Sequence, residues 1–331
     1  MLDARASELG AQLGVDGPTF LRERAEILGV APAGTVSAGG TCRLLRAGDG
    51  RWVAINLARH DDIGLLAAWM GHEWHGPVWD AVGDSLSSMD AASAVERAQL
   101  LAIPAAVAEP PGVPAGRTGH VGARSRGTRD LVVDLSSLWA GPLCARLLGA
   151  RGARVVKVEH AGRPDGARAG PPAFWDRLNR EKEEITLDFG APEGRAALER
   201  LLDRATTVIT SARPRAIEQL GLDLDRRFRD DGIVWVAITG YGYEGPNRDR
   251  VAFGDDAAVA AGLAVAAGGP DAPVFVGDAP ADPLAGLRAA TLATHHLERG
   301  EAAFVDVALV DAVAEALTGS QYARRSRQEV A

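Results

Sequence analysis

Short apolar runs that alternate with helical patterns after residue 130 predict an α/β chain. The expected fold is a doubly wound, mostly parallel, Rossmann-like sheet in a large domain, with a smaller α+β domain ahead of it. The clearest unit spans residues 130–159. Leu131, Val132, Val133 and Leu135 form an apolar run, Ser136 and Ser137 a small-residue turn, and leucines at helical spacing follow Gly141-Pro142 before Val155-Val156-Lys157-Val158. Pro142 suits a first helical turn, where its missing N–H has no partner to lose, and Gly152 suits the exit. A strand, helix and strand in this order require a parallel pair with the helix packed on the sheet. The turn amides and the positive end of the helix then offer a place for an anion. Neither G-x-G-x-x-G nor G-x-x-x-x-G-K-S/T occurs, so a plain dinucleotide or P-loop site is unsupported.

From the start of the chain, residues 1–34 carry a helical pattern, with Leu21, Ala25, Ile27 and Leu28 on one face until Gly29 and Pro32 stop it. A glycine turn at 36–41 leads into strand 42–45. The turn Ala47-Gly48-Asp49-Gly50 and strand 52–57 complete a β-hairpin. Helices around 62–70 and 91–101 and an apolar segment at 103–107 close the small domain, 1–108. Residues 109–129 are rich in Pro, Gly and Arg without apolar periodicity and read as a linker. The large domain, 130–331, continues with strands at 155–158, 185–187, 208–210 and 234–238. A helix at 192–205 carries Leu198, Leu201 and Leu202 on one face.

The composition is globular: 331 residues, 47% hydrophobic and 24% charged, with net charge −8 and pI near 5.5. An acidic balance argues against nucleic acid or an anionic membrane as partner, since both need a basic face. A polyanionic ligand therefore requires a local basic cluster. No apolar run reaches membrane-span length and the N-terminus has no signal-like core, so the cytoplasm is expected. Cys42 and Cys144 read as small buried side chains, and no histidine grouping has convincing metal-ligand spacing, so no metal is expected.

A series of short motifs then falls into order: Leu138-Trp139-Ala140-Gly141-Pro142, Lys157-Val158-Glu159, and Asn179-Arg180-Glu181-Lys182 ahead of Ile185-Thr186-Leu187-Asp188. Arg213-Pro214, Leu220-Gly221-Leu222, Thr239-Gly240-Tyr241-Gly242 with Gly245-Pro246, and Val305-Asp306-Val307 with Asp311-Ala312 follow. Together they resemble the class III CoA-transferase family, of CaiB/BaiF and formyl-CoA transferase type, over about residues 130–313. Residues 1–108 are similar to that family's small domain, which in typical members comes after the large one. The resemblance thus implies a permuted order, which is cheap where the joined termini meet at the surface.

The resemblance implies transfer of CoA between an acyl-CoA and a carboxylic acid, with both as substrates, no covalently bound cofactor, and a homodimer. The family's nucleophile is an aspartate four residues before a glycine that opens a small-residue helix. Asp282, with Gly286 and the helix 287–297, fits, whereas Asp278 has Asp282 at the glycine's place. A carboxylate suits the role because attack on a thioester carbonyl gives a mixed anhydride. On the residues alone, Asp282 equally reads as a helix cap with Pro283 at the first position.

Gly39 and Gly40 match the family's glycine loop, whose amides approach an oxyanion, and equally form an ordinary turn. By resemblance, Leu138 and Trp139 pack the adenine end of CoA, and His160 stands where members usually carry arginine. Arg163, Arg168, Arg180 and Lys182 are candidates for its phosphates or plain surface charges. Leu187, Ser211 and Ala212 match pocket-wall positions and equally serve packing. Asp255 and Asp256 read as helix-start residues, because neighbours on a helix point different ways. Two alternatives stay open: an acyl-CoA-binding protein without turnover, and a 2-methylacyl-CoA racemase. The racemase needs a histidine where a gapless count back from Gly262 puts Phe253, whose ring cannot exchange a proton.

Overall fold

A computed structural model describes residues 1–115, 120–124 and 131–318, the side chains of Ala123, Arg124 and Asp225 excepted. Strands β1 (Cys42–Arg46), β2 (Trp52–Asn56) and β3 (Ala105–Val107) form an antiparallel sheet in that order. Arg46 stands opposite Trp52 across the hairpin. Both faces are covered, which is why Val53, Ala54 and Ile55 are apolar without a break. Val53, Ile55 and Ala105 pack under the helices Leu66–Met70, Val78–Leu86 and Ala91–Leu100. Cys42, Leu44, Ala54 and Ala106 face Val259, Ala264 and Phe275 of the larger part. The helical pattern at 62–70 resolves into two short helices, His60–Gly64 and Leu66–Met70.

The main sheet comprises β4 (His120–Arg124), β5 (Leu131–Asp134), β6 (Arg154–His160), β7 (Glu183–Leu187), β8 (Thr207–Thr210), β9 (Val234–Thr239) and β10 (Glu301–Ala308). Its spatial order is β4-β10-β9-β8-β5-β6-β7. All neighbours run parallel except β4, which is antiparallel to β10. After β5 the chain builds outward to β6 and β7, then returns to add β8 on the other side of β5. In α/β sheets ligands bind at the carboxyl ends of the strands that flank such a reversal, here β5 and β8.

The strands alternate between two cores, as a period of two demands. Val132, Val155, Ile209 and Val236 meet the helices Ala140–Ala150 and Ala281–Glu298. Val133, Val156, Val208 and Trp235 meet Leu198, Leu202, Ile217 and Phe228 from the other side. The helix Ala281–Glu298 is rich in alanine and runs deep in the first core. A Cβ on Gly286 would lie 2.7 Å from the Ala140 carbonyl oxygen, so glycine is what lets the two helices cross so closely.

Two features differ from the sequence reading. Residues 109–129, read as linker, contain β4, which pairs with β10 along one side only. An edge strand needs no apolar alternation, and so its Gly- and Arg-containing sequence conceals it. The rest of that stretch at 116–119 and 125–129, with Asp130 and residues 319–331, lies outside the described residues. The N-terminal helices Leu2–Leu13 and Gly17–Leu28, grouped by sequence with the small sheet, instead put Ala6, Leu9, Leu13, Phe20 and Leu21 into the core of the large one. Gly14, with φ of 71°, makes the break between them. Among the described residues no helix is long and apolar enough to cross a membrane. Cys42 and Cys144 are free and buried.

Candidate active site

The helix Ala281–Glu298 packs on β9 and β10 and leads directly into β10, so its N-terminal turn, with Asp282, lies towards the carboxyl ends of the strands. One turn further on, Gly286 meets Ala140. Asp282 does not cap this helix: Pro280 holds the N-cap place and no side chain bonds there. The Asp282 amide donates to the Ala279 carbonyl at 3.0 Å. Ala279 has a φ of 43°, a left-handed conformation costly for a residue with a Cβ. Its own amide is tied to Asp255 Oδ1 at 3.1 Å. Across from this turn lies Gly254, where a Cβ would come 2.4 Å from Asp282 Oδ2 and 2.5 Å from the Ala279 carbonyl. Glycine thus lets the helix Gly254–Ala260 approach the turn, and the Gly254 amide donates to the Asp282 carboxylate.

One cation stands among these acids. Arg24, on the helix Gly17–Leu28, grips the fully buried Asp278 with two parallel hydrogen bonds, Nε to Oδ2 at 2.7 Å and Nη2 to Oδ1. The helix is aimed by the preceding residue: buried Glu23 accepts from Arg146 at 3.0 Å and from Arg177. The Arg24 guanidinium lies 4.9 Å from the centre of the Trp139 ring, which meets Phe174 edge-on at 5.1 Å. The small sheet adds the turn before β1. A Cβ on Gly39 would be 3.7 Å from Arg24 Nη2, and the Ser37 hydroxyl bonds Asp255.

Burial sets the protonation of the site. It pushes Asp282 up to about 7; Arg24 opposes the shift while Asp255 and Asp278 add to it. Asp255 is raised to about 6, by burial first and the Asp278 charge second. Asp256 reaches about 7 through burial, against the pull of its bonds from Asn56 at 2.8 Å and the Phe253 amide at 3.0 Å. Asp255 and Asp256 do start a helix, as read from sequence, and they do point apart. Asp255, however, faces Asp278 and Asp282 rather than solvent. Asp282 itself is partly exposed. A carboxyl group poised near neutrality can act as nucleophile or exchange a proton.

The residues expected to meet CoA fall along the same sheet edge. Leu138 follows β5, His160 ends β6 opposite Leu187 at the end of β7, and Ser211 and Ala212 follow β8. The Ser137 amide donates to Ser211 Oγ at 2.9 Å. Leu138 has a φ of 70° and is held there by its amide bond to Asp165 Oδ1 at 2.9 Å. Trp139 is buried against Phe174 and Arg24. His160 Nδ1 accepts from the Gly162 amide at 2.8 Å, and its ring meets Phe189.

Two of the four expected phosphate ligands are otherwise committed. Lys182 has three N–H donors and spends them on Asp134 at 2.8 Å, the Pro142 carbonyl at 3.0 Å and Asn179 at 2.8 Å. With Lys157, which bonds the Ser136 carbonyl and Asp165 at 2.9 Å each, it belongs to a buried network that fixes the turn after β5. Arg168 pairs with Glu159 at 2.6 Å and with Glu184, and lies over Trp175. Arg163 and Arg180 remain exposed. The sequence reading passed over Arg213 as a cation: it caps the helix Pro214–Gln219 after β8, and its pKa is lowered by burial and by the charges of Arg215, Arg59 and Arg163. The three neighbouring arginines outweigh Asp249 at this place and leave it locally positive. Among the described residues no cluster of three or more His, Cys, Asp or Glu has the arrangement to hold a metal ion.

Fold and site together define a doubly wound α/β protein with a burial-tuned aspartate at the carboxyl edge of its switched sheet. A sequence profile of CoA-transferase family III matches residues 129–330, and the chain belongs to that family. It is 33% identical over 196 residues to succinyl-CoA–D-citramalate CoA-transferase of Chloroflexus aurantiacus, covering 55% of this chain and 48% of that protein. Over 199 residues it is 31% identical to succinate–glutarate CoA-transferase of Agrobacterium fabrum, covering 54% and 50%. The chain spans about half the length of the curated relatives it matches. Among solved structures it resembles Rv3272 of Mycobacterium tuberculosis, with TM-score 0.53, 31% identity and coverage of 62% and 58%. It also resembles a CaiB/BaiF family protein of Brucella suis, with TM-score 0.50, 26% identity and coverage of 61% and 57%.

Proposed function

We propose that this protein moves CoA from an acyl-CoA to a carboxylic acid, with Asp282 as nucleophile. The observation that carries the reading is Asp282 itself: a partly exposed residue whose carboxyl group burial tunes to about 7, in a helical first turn set by the strained Ala279 and the close approach of Gly254. Its carboxylate attacks the thioester carbonyl, the C–S bond breaks, and CoA departs as thiolate, leaving a mixed anhydride. Attack of the thiolate on the aspartyl carbonyl releases the first acid and leaves an aspartyl thioester. The second acid repeats the two steps in reverse, and Asp282 is regenerated as carboxylate. Amides of the Gly39-Gly40 turn stabilise the oxyanion.

The CoA lies along Leu138, His160, Leu187, Ser211 and Ala212, with Arg163, Arg180 and Arg213 for its phosphates. The small-domain-like unit ahead of the matched residues, a homodimeric assembly and a cytoplasmic setting belong to the same reading. Names of relatives make succinyl-CoA the first donor to try. Incubation with succinyl-CoA and a panel of dicarboxylic acids, read by mass spectrometry, should yield a new CoA thioester. Asp282→Ala should yield none while binding CoA nearly as well. Full transfer by the Ala variant would overturn the assignment.

A further inference from the structure

We propose that Arg24 is a positioning residue of this site, the counter-cation that keeps Asp282 ionised for attack. The inference rests on the transferase reading and extends it to a residue outside the stretch that matches the family, 129–330. Arg24 is built into the site more firmly than a surface ion pair is. Two of its N–H groups are fixed by the buried Asp278, its plane lies over Trp139, and Glu23 on the same helix is clamped by Arg146 and Arg177. About a quarter of the side chain remains exposed, beside Gly39. No bond to Nη1 is present among the described residues, and the charge reaches both Asp282 and Asp255. Asp278 locks the guanidinium; Asp282 receives its field.

The other charged groups around Asp282 cannot take over this role. The helix Gly254–Ala260 brings only Asp255 and Asp256, and the preceding turn Asp278, all acids. On the helix Ala140–Ala150, Arg146 is bound to Glu23, and Cys144 is a buried thiol. Within the helix of Asp282, Arg288 is paired at 2.7 Å with Glu315 of the helix Leu309–Thr318, which otherwise offers Asp311. Removing Arg24 leaves acids facing acids.

The test is a pH profile of transfer in Arg24→Gln, Arg24→Lys and Asp278→Asn, accompanied by a ¹³C NMR titration of the Asp282 carboxyl assigned with Asp282→Asn. Loss of the cation should move the acid limb and the NMR midpoint upward by about 1–2 pH units. The Lys variant should restore most of the shift, and Asp278→Asn should move both downward by removing a negative neighbour. Equal midpoints in all folded variants would overturn the proposal, since a purely structural salt bridge alters melting temperature alone. Where Arg24→Gln fails to fold, the double variant Arg24→Gln/Asp278→Asn, which leaves neither partner of the pair buried alone, keeps the test decisive. Its midpoint should lie above that of Asp278→Asn, and equal midpoints would overturn the proposal. Midpoints that shift as stated in a protein without transfer activity would leave the role of Arg24 standing and sink the transferase reading.

Discussion

Asp256 shows how a single buried carboxyl group makes stability depend on pH. Its folded value of about 7 lies above the ordinary 3.8, so between those limits the folded chain holds a proton that the unfolded chain has lost. The contribution of Asp256 to stability is then fully present below pH 4 and is lost as pH rises through 7. Asp256 Oδ2 and Asn56 Oδ1 are both buried without partners, which one extra donor between them would relieve. Asp256→Asn should therefore stabilise the protein at pH 8 by about 1–3 kcal/mol and change little at pH 4, as read by denaturant melts at both pH values. A destabilisation at pH 8 would contradict the protonation argument. Of the site's residues, Asp282 was legible through its spacing to Gly286, and the structure supplies the physical reason in the close helix crossing at Ala140. Arg24 was not, because 254 positions separate it from Asp278 and nothing local marks it.

At the scale of elements, burial on both faces forces apolar runs on β5, β6, β8 and β9 and makes them readable. The equally buried β10 was not read as a strand, because its Glu301-Ala302-Ala303 start and Asp306 break the apolar run. The edge strand β4 was hidden because an edge needs no apolar alternation. The helix of Asp282 starts at Ala281, ahead of the expected 287, since Pro283 fits a first turn without losing a bond. Two substitutions test how elements are held together. Gly254→Ala puts a methyl group into the Asp282 carboxylate and should cut transfer at least tenfold while costing about 1–3 kcal/mol of stability. An active Ala variant would show that the turn yields. Lys182→Met leaves Asp134 buried with one partner fewer and should cost about 3–5 kcal/mol, with the turn at Leu138 loosened in hydrogen exchange. Unchanged protection there would separate the network from the turn.

For the molecule as a whole, the segment ahead of the small sheet closes the core of the large one. Deleting residues 1–28 strips Leu9, Leu13, Phe20 and Leu21 from that core. At about 1.5–3 kcal/mol for each buried side chain, the loss rivals the roughly 5–15 kcal/mol that holds a domain folded. The truncated protein should show no cooperative melt by circular dichroism; a melt within a few degrees of the full chain would refute this packing. Arg5, bonded to Glu315 at 2.9 Å, ties the same segment to the helix Leu309–Thr318. Sequence periodicity identified these helices but had no means of telling which sheet they cover, because apolar faces carry no address. Phe253 in place of a histidine leads to a separate expectation: no deuterium should enter the α-carbon of 2-methylacyl-CoA in heavy water, and rapid exchange would favour a racemase.

The central claim is a covalent anhydride on Asp282, and hydroxylamine tests it most directly. The protein is mixed with succinyl-CoA, quenched with hydroxylamine and digested, and the peptides are mapped by mass spectrometry. The proposed mechanism predicts a hydroxamate on Asp282 that depends on the thioester and is absent from Asp282→Ala. A hydroxamate on Asp278, or transfer that proceeds with no adduct at either aspartate, would contradict it.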